Sequence, residues 1–125
     1  MNEYKFRGFD AVGNKGWVYG DLVHNKKVTR TGLEDRVMVG GYEVVPESVG
    51  IRLVKFGDTE IYEGDILRWR PKTFDDYLFT GRAFYNTALC AAVVEHSHGI
   101  EYLYNVYSNP KMTIIGNIYE NPNYL

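Results

Sequence analysis

The sequence predicts one mostly-β domain with little helix, and three observations carry that expectation. Glycine and asparagine punctuate the chain at short intervals: Gly13-Asn14, Gly40-Gly41, Gly57-Asp58, Gly64-Asp65, Ser97-His98-Gly99, Asn109-Pro110 and Asn121-Pro122. The runs between them are short and rich in aromatic and β-branched residues, which suit a pleated, half-buried surface. Nowhere do apolar residues hold the i, i+3, i+4, i+7 spacing over three helical turns without a glycine or proline interrupting.

The elements follow in order. Strands are expected over Tyr4–Phe9 and Gly16–His24, on either side of Gly13-Asn14, and over Arg36–Val39 and Tyr42–Val45, on either side of Gly40-Gly41. Ile51–Phe56 runs up to Gly57-Asp58, and Asp65–Arg70 leaves Gly64 with Ile66, Arg68 and Arg70 opposing Leu67 and Trp69, a strand with one wet face. Thr73–Leu78 can make one helical turn, with Thr73 as N-cap and Asp75 and Asp76 in the first turn. The rest of residues 71–90 reads as a long excursion bearing Phe74, Tyr77, Phe79, Phe84 and Tyr85, expected to be mobile or used in self-association. Ala91–His96 and Ile100–Tyr107 flank Gly99 as a hairpin; in the second run Ile100, Tyr102, Tyr104 and Val106 share one face and Glu101, Leu103, Asn105 and Tyr107 the other. Met112–Ile115 is the last strand, and the tail from Asn117 to Leu125 is expected to pack as an irregular strap. Tyr19-Gly20-Asp21-Leu22-Val23 and Glu63-Gly64-Asp65-Ile66-Leu67 echo one another as two copies of a turn feeding a strand.

Composition narrows the function. The 125 residues are 45% hydrophobic, enough for one real core. Fourteen basic residues face 16 acidic ones, and the net charge of −2 argues against an obligate polyanion binder. Residues 1–40 are slightly basic and the remainder slightly acidic; the small basic groups Lys26, Lys27, Arg30 and Arg68, Arg70, Lys72 read as solvated surface. No apolar run is long enough to span a membrane, and Met1–Asp10 carries charge where a signal peptide would be apolar. Cys90, the one cysteine, lies in the apolar stretch Ala88–Val94 and is expected to be a core thiol in a reducing compartment.

Five blocks in fixed order resemble the YopX family, small proteins encoded mostly by bacteriophages and prophages. They are Lys5-Phe6-Arg7-Gly8-Phe9-Asp10, Val18-Tyr19-Gly20-Asp21-Leu22, Val45-Pro46-Glu47-Ser48-Val49-Gly50, Ile61-Tyr62-Glu63-Gly64-Asp65-Ile66, and Ile114-Ile115-Gly116-Asn117-Ile118-Tyr119-Glu120-Asn121-Pro122. Leu53–Glu60 departs from the family pattern, residues 71–90 have no counterpart in it, and Val93-Val94-Glu95-His96 places histidine where the family has Phe or Trp. The resemblance implies a barrel-like β fold, with an N-terminal β segment over residues 1–60 and an SH3-like barrel over residues 61–125. It also implies phage or prophage origin and a cytoplasmic life in a bacterial host. It marks Glu63, Gly64, Asp65, Gly116, Asn117 and Tyr119 as structural motif residues and brings no catalytic residues with it.

Candidate chemistry is sparse. His96 and His98 form an H-x-H pair with Glu101 across the hairpin, the one candidate metal site and the one route to a metal-assisted hydrolase. Glu63/Asp65, Asp75/Asp76 and Glu34/Asp35 are the carboxylate pairs, and Asp65 is better explained as a turn residue than as an acid–base group. No serine elbow, CxxC, phosphate-binding glycine loop or HExxH occurs. An enzyme is therefore not expected, nor a cofactor. The surplus is aromatic: 11 tyrosines. Those outside the recognised blocks, Tyr77, Tyr85, Tyr102, Tyr104 and Tyr107, are open to a binding role. The expected partner is another copy of the chain or a phage or host protein. The second expectation is nucleic acid, stacked on Tyr102, Tyr104 and Tyr107 beside Arg68 and Arg70.

Overall fold

The computed structural model describes residues 4–71 and 77–125, and the chain is mostly β, with one sheet curled into a half-barrel. It divides into two compact units, Met1–Arg52 and Leu53–Leu125. The expected helical turn over Thr73–Leu78 falls mainly outside the described residues.

In the first unit, β1 (Phe6–Phe9) pairs antiparallel with β2 (Trp17–Gly20) and with the start of β6 (Gly50–Phe56). A second sheet runs β3 (Leu22–Thr29), β4 (Gly32–Val39), β5 (Tyr42–Glu43). The single strand expected over Gly16–His24 is broken into β2 and β3. Gly20 has φ +145°, and a Cβ there would lie 2.8 Å from Gly40 Cα, so the break needs glycine on both sides. Val18, Val39 and Val44 are buried, with Phe6, Leu22, Val37 and Val49 packed against them. Asp10 closes the loop after β1: its carboxylate accepts the N–H groups of Val12 (3.0 Å), Gly13 (3.1 Å) and Lys15 (3.4 Å). Those bonds, led by Val12, hold the Asp10 carboxyl below its usual range.

In the second unit, β7 (Thr59–Tyr62) precedes a five-stranded antiparallel sheet. That sheet is built from β8 (Asp65–Trp69), β9 (Phe79–Asn86), β10 (Ala91–His96), β11 (Gly99–Tyr102) and β12 (Thr113–Asn117), ordered β11-β10-β9-β8-β12. One helix, α1 (Leu103–Tyr107), stands between β11 and β12. Ile61, Leu67, Trp69, Ala83, Val94, Leu103 and Val106 form the buried cluster.

Four expectations are corrected here. Much of the expected excursion is β9, the central strand: its inward positions include Gly81 and Ala83, too small to announce a core strand. Gly81 is required, since a Cβ would lie 2.6 Å from the Glu95 carbonyl oxygen. The strand expected over Ile100–Tyr107 ends at Tyr102, because Leu103 and Val106, three residues apart, are both buried, a spacing that a helical turn satisfies and a strand does not. The wet face of β8 is absent at Ile66, which is fully buried; Arg68 alone within the strand is partly exposed. Cys90 is exposed, not a core thiol. It sits in the β9–β10 turn with φ +51°, its thiol directed at the Thr87 carbonyl oxygen at 3.5 Å.

Replacing Gly81 with alanine is expected to cost about 1–3 kcal/mol by overpacking. Urea unfolding should read that loss, whereas Gly99→Ala at an open turn position should act only through its backbone angle.

Candidate functional site

Three of the tyrosines named from sequence meet in the second unit, and α1 is the reason. A five-residue helical segment sets Tyr104 and Tyr107 three apart on one face, where a strand would have placed them on opposite faces. Their rings pack edge to face with centroids 5.4 Å apart, and Tyr107 stacks on Phe56 at 4.9 Å. Together with Tyr102 they rim an open groove of about 440 Å³, lined also by Leu53, Val54, Ala91, Ala92, Leu103 and Asn105. Tyr102 is 52% exposed and Tyr104 66% exposed, so both rings are accessible. Among the described residues, no charged side chain lines the groove. Asn105 donates to Glu101 Oε1 at 2.8 Å, an i, i+4 bond in sequence that steadies the helix start. Arg68 and Arg70 are not brought to this groove. Arg68 lies on β8 between Thr80 and Thr113, with Nε 3.4 Å from Thr80 Oγ1, and the Arg70 carbonyl accepts the Asn109 side-chain amide.

A second cleft, also about 440 Å³, lies beside the β10–β11 turn, its lining including Tyr77, Phe79, Arg82, Glu95, His96 and His98. His96 stacks on Phe79 at 5.0 Å and meets Trp69 edge to face at 5.7 Å. His96 and His98 are brought together, their ring centroids 6.2 Å apart. The His96 Nδ1 accepts the His98 backbone N–H at 3.2 Å, so that nitrogen is engaged within the turn. Among the described residues no three His, Cys, Asp or Glu side chains converge as a metal-ligand set. Burial lowers the His96 pKa from its usual 6.5; His98 adds to the shift and Glu101 opposes it.

The carboxylates are occupied structurally. Asp65 is buried and its Oδ2 accepts the Tyr62 N–H at 2.8 Å, while Glu63 Oε2 accepts the Tyr85 N–H at 3.1 Å. Asp35 is ion-paired with Lys26 at 2.7 Å, and that bond lowers its pKa; Glu43 pairs with Lys27 at 3.1 Å. Asp75 and Asp76 lie outside the described residues.

Two of the sequence blocks bind each other directly. Gly64, with φ +96°, donates its N–H to the Ala83 carbonyl (2.8 Å) and accepts the Ile118 N–H (2.8 Å). Asp65 and Asn117 are cross-strand partners, and the Asn117 side chain holds Glu120 through its N–H (2.8 Å) and carboxylate (3.1 Å). Asn121 returns the bond to the Asn117 N–H at 3.2 Å, over a Gly116 that leaves it room. A model of the family described as YopX protein matches residues 5–125. The chain belongs to the YopX family. Comparison with curated proteins and with solved structures finds no significant match.

The two paired blocks brace one end of the second unit, with Tyr119 37% exposed on the closing turn. The tail is bonded through Ile118 and Asn121, but Tyr124 and Leu125 are largely exposed, so the expected strap is a tethered turn and a short 3-10 segment, Pro122–Tyr124. The His96 imidazole, at 5.0 Å from Phe79, stacks as an aromatic ring would. The three rim tyrosines are grouped by sequence, but with Tyr107 on the opposite strand face; residues 103–107 turn helical instead, for which the i, i+3 pair Leu103/Val106 is the available signal.

His96 should show in the pH dependence. Its folded pKa is below the unfolded one, so its contribution is complete above pH 6.5 and is lost as pH falls toward the folded value. Unfolding free energy is expected to decline over that window, and His96→Phe to flatten the decline while preserving the stack on Phe79.

Proposed function

We propose that this YopX chain acts by binding a protein and not by catalysis, with the tyrosine-rimmed groove as the contact surface. The observation that carries the reading is the lining: among the described residues, three tyrosines, apolar side chains and Asn105 surround an open groove, without a charged residue. Tyrosine supplies a large apolar face with one hydroxyl and loses little conformational freedom on contact, which suits protein recognition. An apolar or aromatic side chain of a partner fits such a lining; a phosphate backbone needs cations that Arg68 and Arg70 do not bring to it. Catalysis is disfavoured because Glu63, Asp65 and Asp35 are each committed to a hydrogen bond or ion pair.

Three finer readings belong with this proposal. The meander order with β12 returning to β8, and one helical turn before it, supports an SH3-like barrel for the second unit. Phage or prophage origin is proposed on the family resemblance alone. A cytoplasmic setting is consistent with the exposed cysteine; among the described residues, no helix is long and apolar enough to cross a membrane.

A photo-crosslinking amino acid at position 104, expressed in the bacterial host, should give a discrete cross-linked protein band that the same probe at exposed Thr31 does not. Retention of a mixed oligonucleotide pool at low salt, lost in Tyr104→Ala, would replace the protein reading with the nucleic-acid one.

A further inference from the structure

Among the described residues, β3 is a sheet edge with no strand paired on its outer side. It is outermost in the order β3-β4-β5, and it pairs with β4 through all eight of its residues without a bulge. The sequence Leu22-Val23-His24-Asn25-Lys26-Lys27-Val28-Thr29 contains neither proline nor glycine. Gly40 donates its N–H to the Asp21 carbonyl at 3.1 Å, so Asp21 and Gly40 form a hydrogen-bonded pair. Antiparallel pairs alternate between bonded and non-bonded. Val23, Asn25, Lys27 and Thr29 therefore bond to β4, and Leu22, His24, Lys26 and Val28 direct their N–H and C=O groups outward.

Natural edge strands are usually blunted by proline, a bulge or free lysines. Here both lysines are neutralised within their own sheet, Lys26 by Asp35 and Lys27 by Glu43. The exposed side chains include apolar ones: Val23 is 46% and Val28 84% exposed. An edge with open backbone groups, neutralised cations and exposed valines is a template for another strand.

We propose that two copies of the chain associate by antiparallel pairing of β3 with β3, merging two three-stranded sheets into one of six strands. A two-fold axis perpendicular to the sheet keeps each face continuous, so residues of equal parity must face each other. The register centred on Asn25 meets that condition. It pairs the outward backbone groups of Leu22 with those of Val28 of the partner subunit, and those of His24 with those of Lys26 of the partner subunit. Its neighbour centred on Lys26 would set two lysines face to face. In the Asn25 register the exposed Val28 side chain is covered by an apolar neighbour. The surface uses none of the groove residues, so it stands or falls separately from the binding reading above.

Sedimentation velocity from low to high micromolar concentration should find a reversible dimer. Val28→Glu, at a position exposed in the single chain, and Lys26→Pro, which removes an outward N–H and no β3–β4 bond, should each weaken the dimer by about tenfold or more. Amide exchange supplies the second measurement: the His24, Lys26 and Val28 amides should be protected in the dimer and exchange freely in Val28→Glu, while Asn25 stays protected in both. A chain that remains monomeric at high concentration overturns the proposal. So does a dimer indifferent to Val28→Glu, including one that Tyr104→Ala abolishes.

Discussion

The second unit depends on how the backbone turns at Gly64. Three consecutive residues at that turn make four hydrogen bonds, to three parts of the chain. Asp65 takes the Tyr62 N–H of β7, Gly64 gives its N–H to Ala83 of β9 and takes that of Ile118 beyond β12, and Glu63 takes the Tyr85 N–H. Apolar burial of Ile61, Leu67, Val94 and their neighbours favours compactness but does not select a register. The bonds at Gly64 do, because a buried donor or acceptor left unpaired costs about 1–3 kcal/mol. A one-residue slip of β8 would break several of them at once and turn the strand's buried residues to the wrong side.

The groove inherits its shape from that frame. Gly81 lets β9 approach β10 closely, at a position where a methyl group would collide with the Glu95 carbonyl. β10 then presents Ala91 and Ala92 as a low floor, and α1 hangs its tyrosines at the rim through the anchors Leu103 and Val106. Small residues in the sheet and large ones on a single helical turn make the concavity. Neither alone would.

Legibility in the sequence followed the type of interaction. Gly64 and Asp65 are readable because turn chemistry is local: a glycine that permits positive φ and a side chain that bonds backbone a few residues away; Asn117 is marked only by the family resemblance. β9 was hidden because its core positions include Gly81 and Ala83, which carry no hydrophobic signal, and its register is set by backbone proximity to β10. α1 was hidden because five residues are too few for a helical period, and Ile100–Tyr107 alternates well enough to pass as a strand. Cys90 was misread because Ala88–Val94 is apolar in composition yet its first three residues, Cys90 among them, are turn. At His96 and His98 the spacing correctly brought two imidazoles together; that one ring accepts the other's backbone N–H depends on turn geometry that spacing does not encode.

The return of β12 to β8 sets an order of events on the ribosome. β8 lies between β9 and β12, so one of its edges stays unpaired until the segment ending at Asn117 has been synthesised. Until then Gly64 lacks its Ile118 donor and the turn is held on one side only. Pairings this distant in sequence form late and leave strand edges open meanwhile. The nascent chain thus holds an unfinished sheet until residues 113–118 emerge, and the closing block works as the latch that completes it.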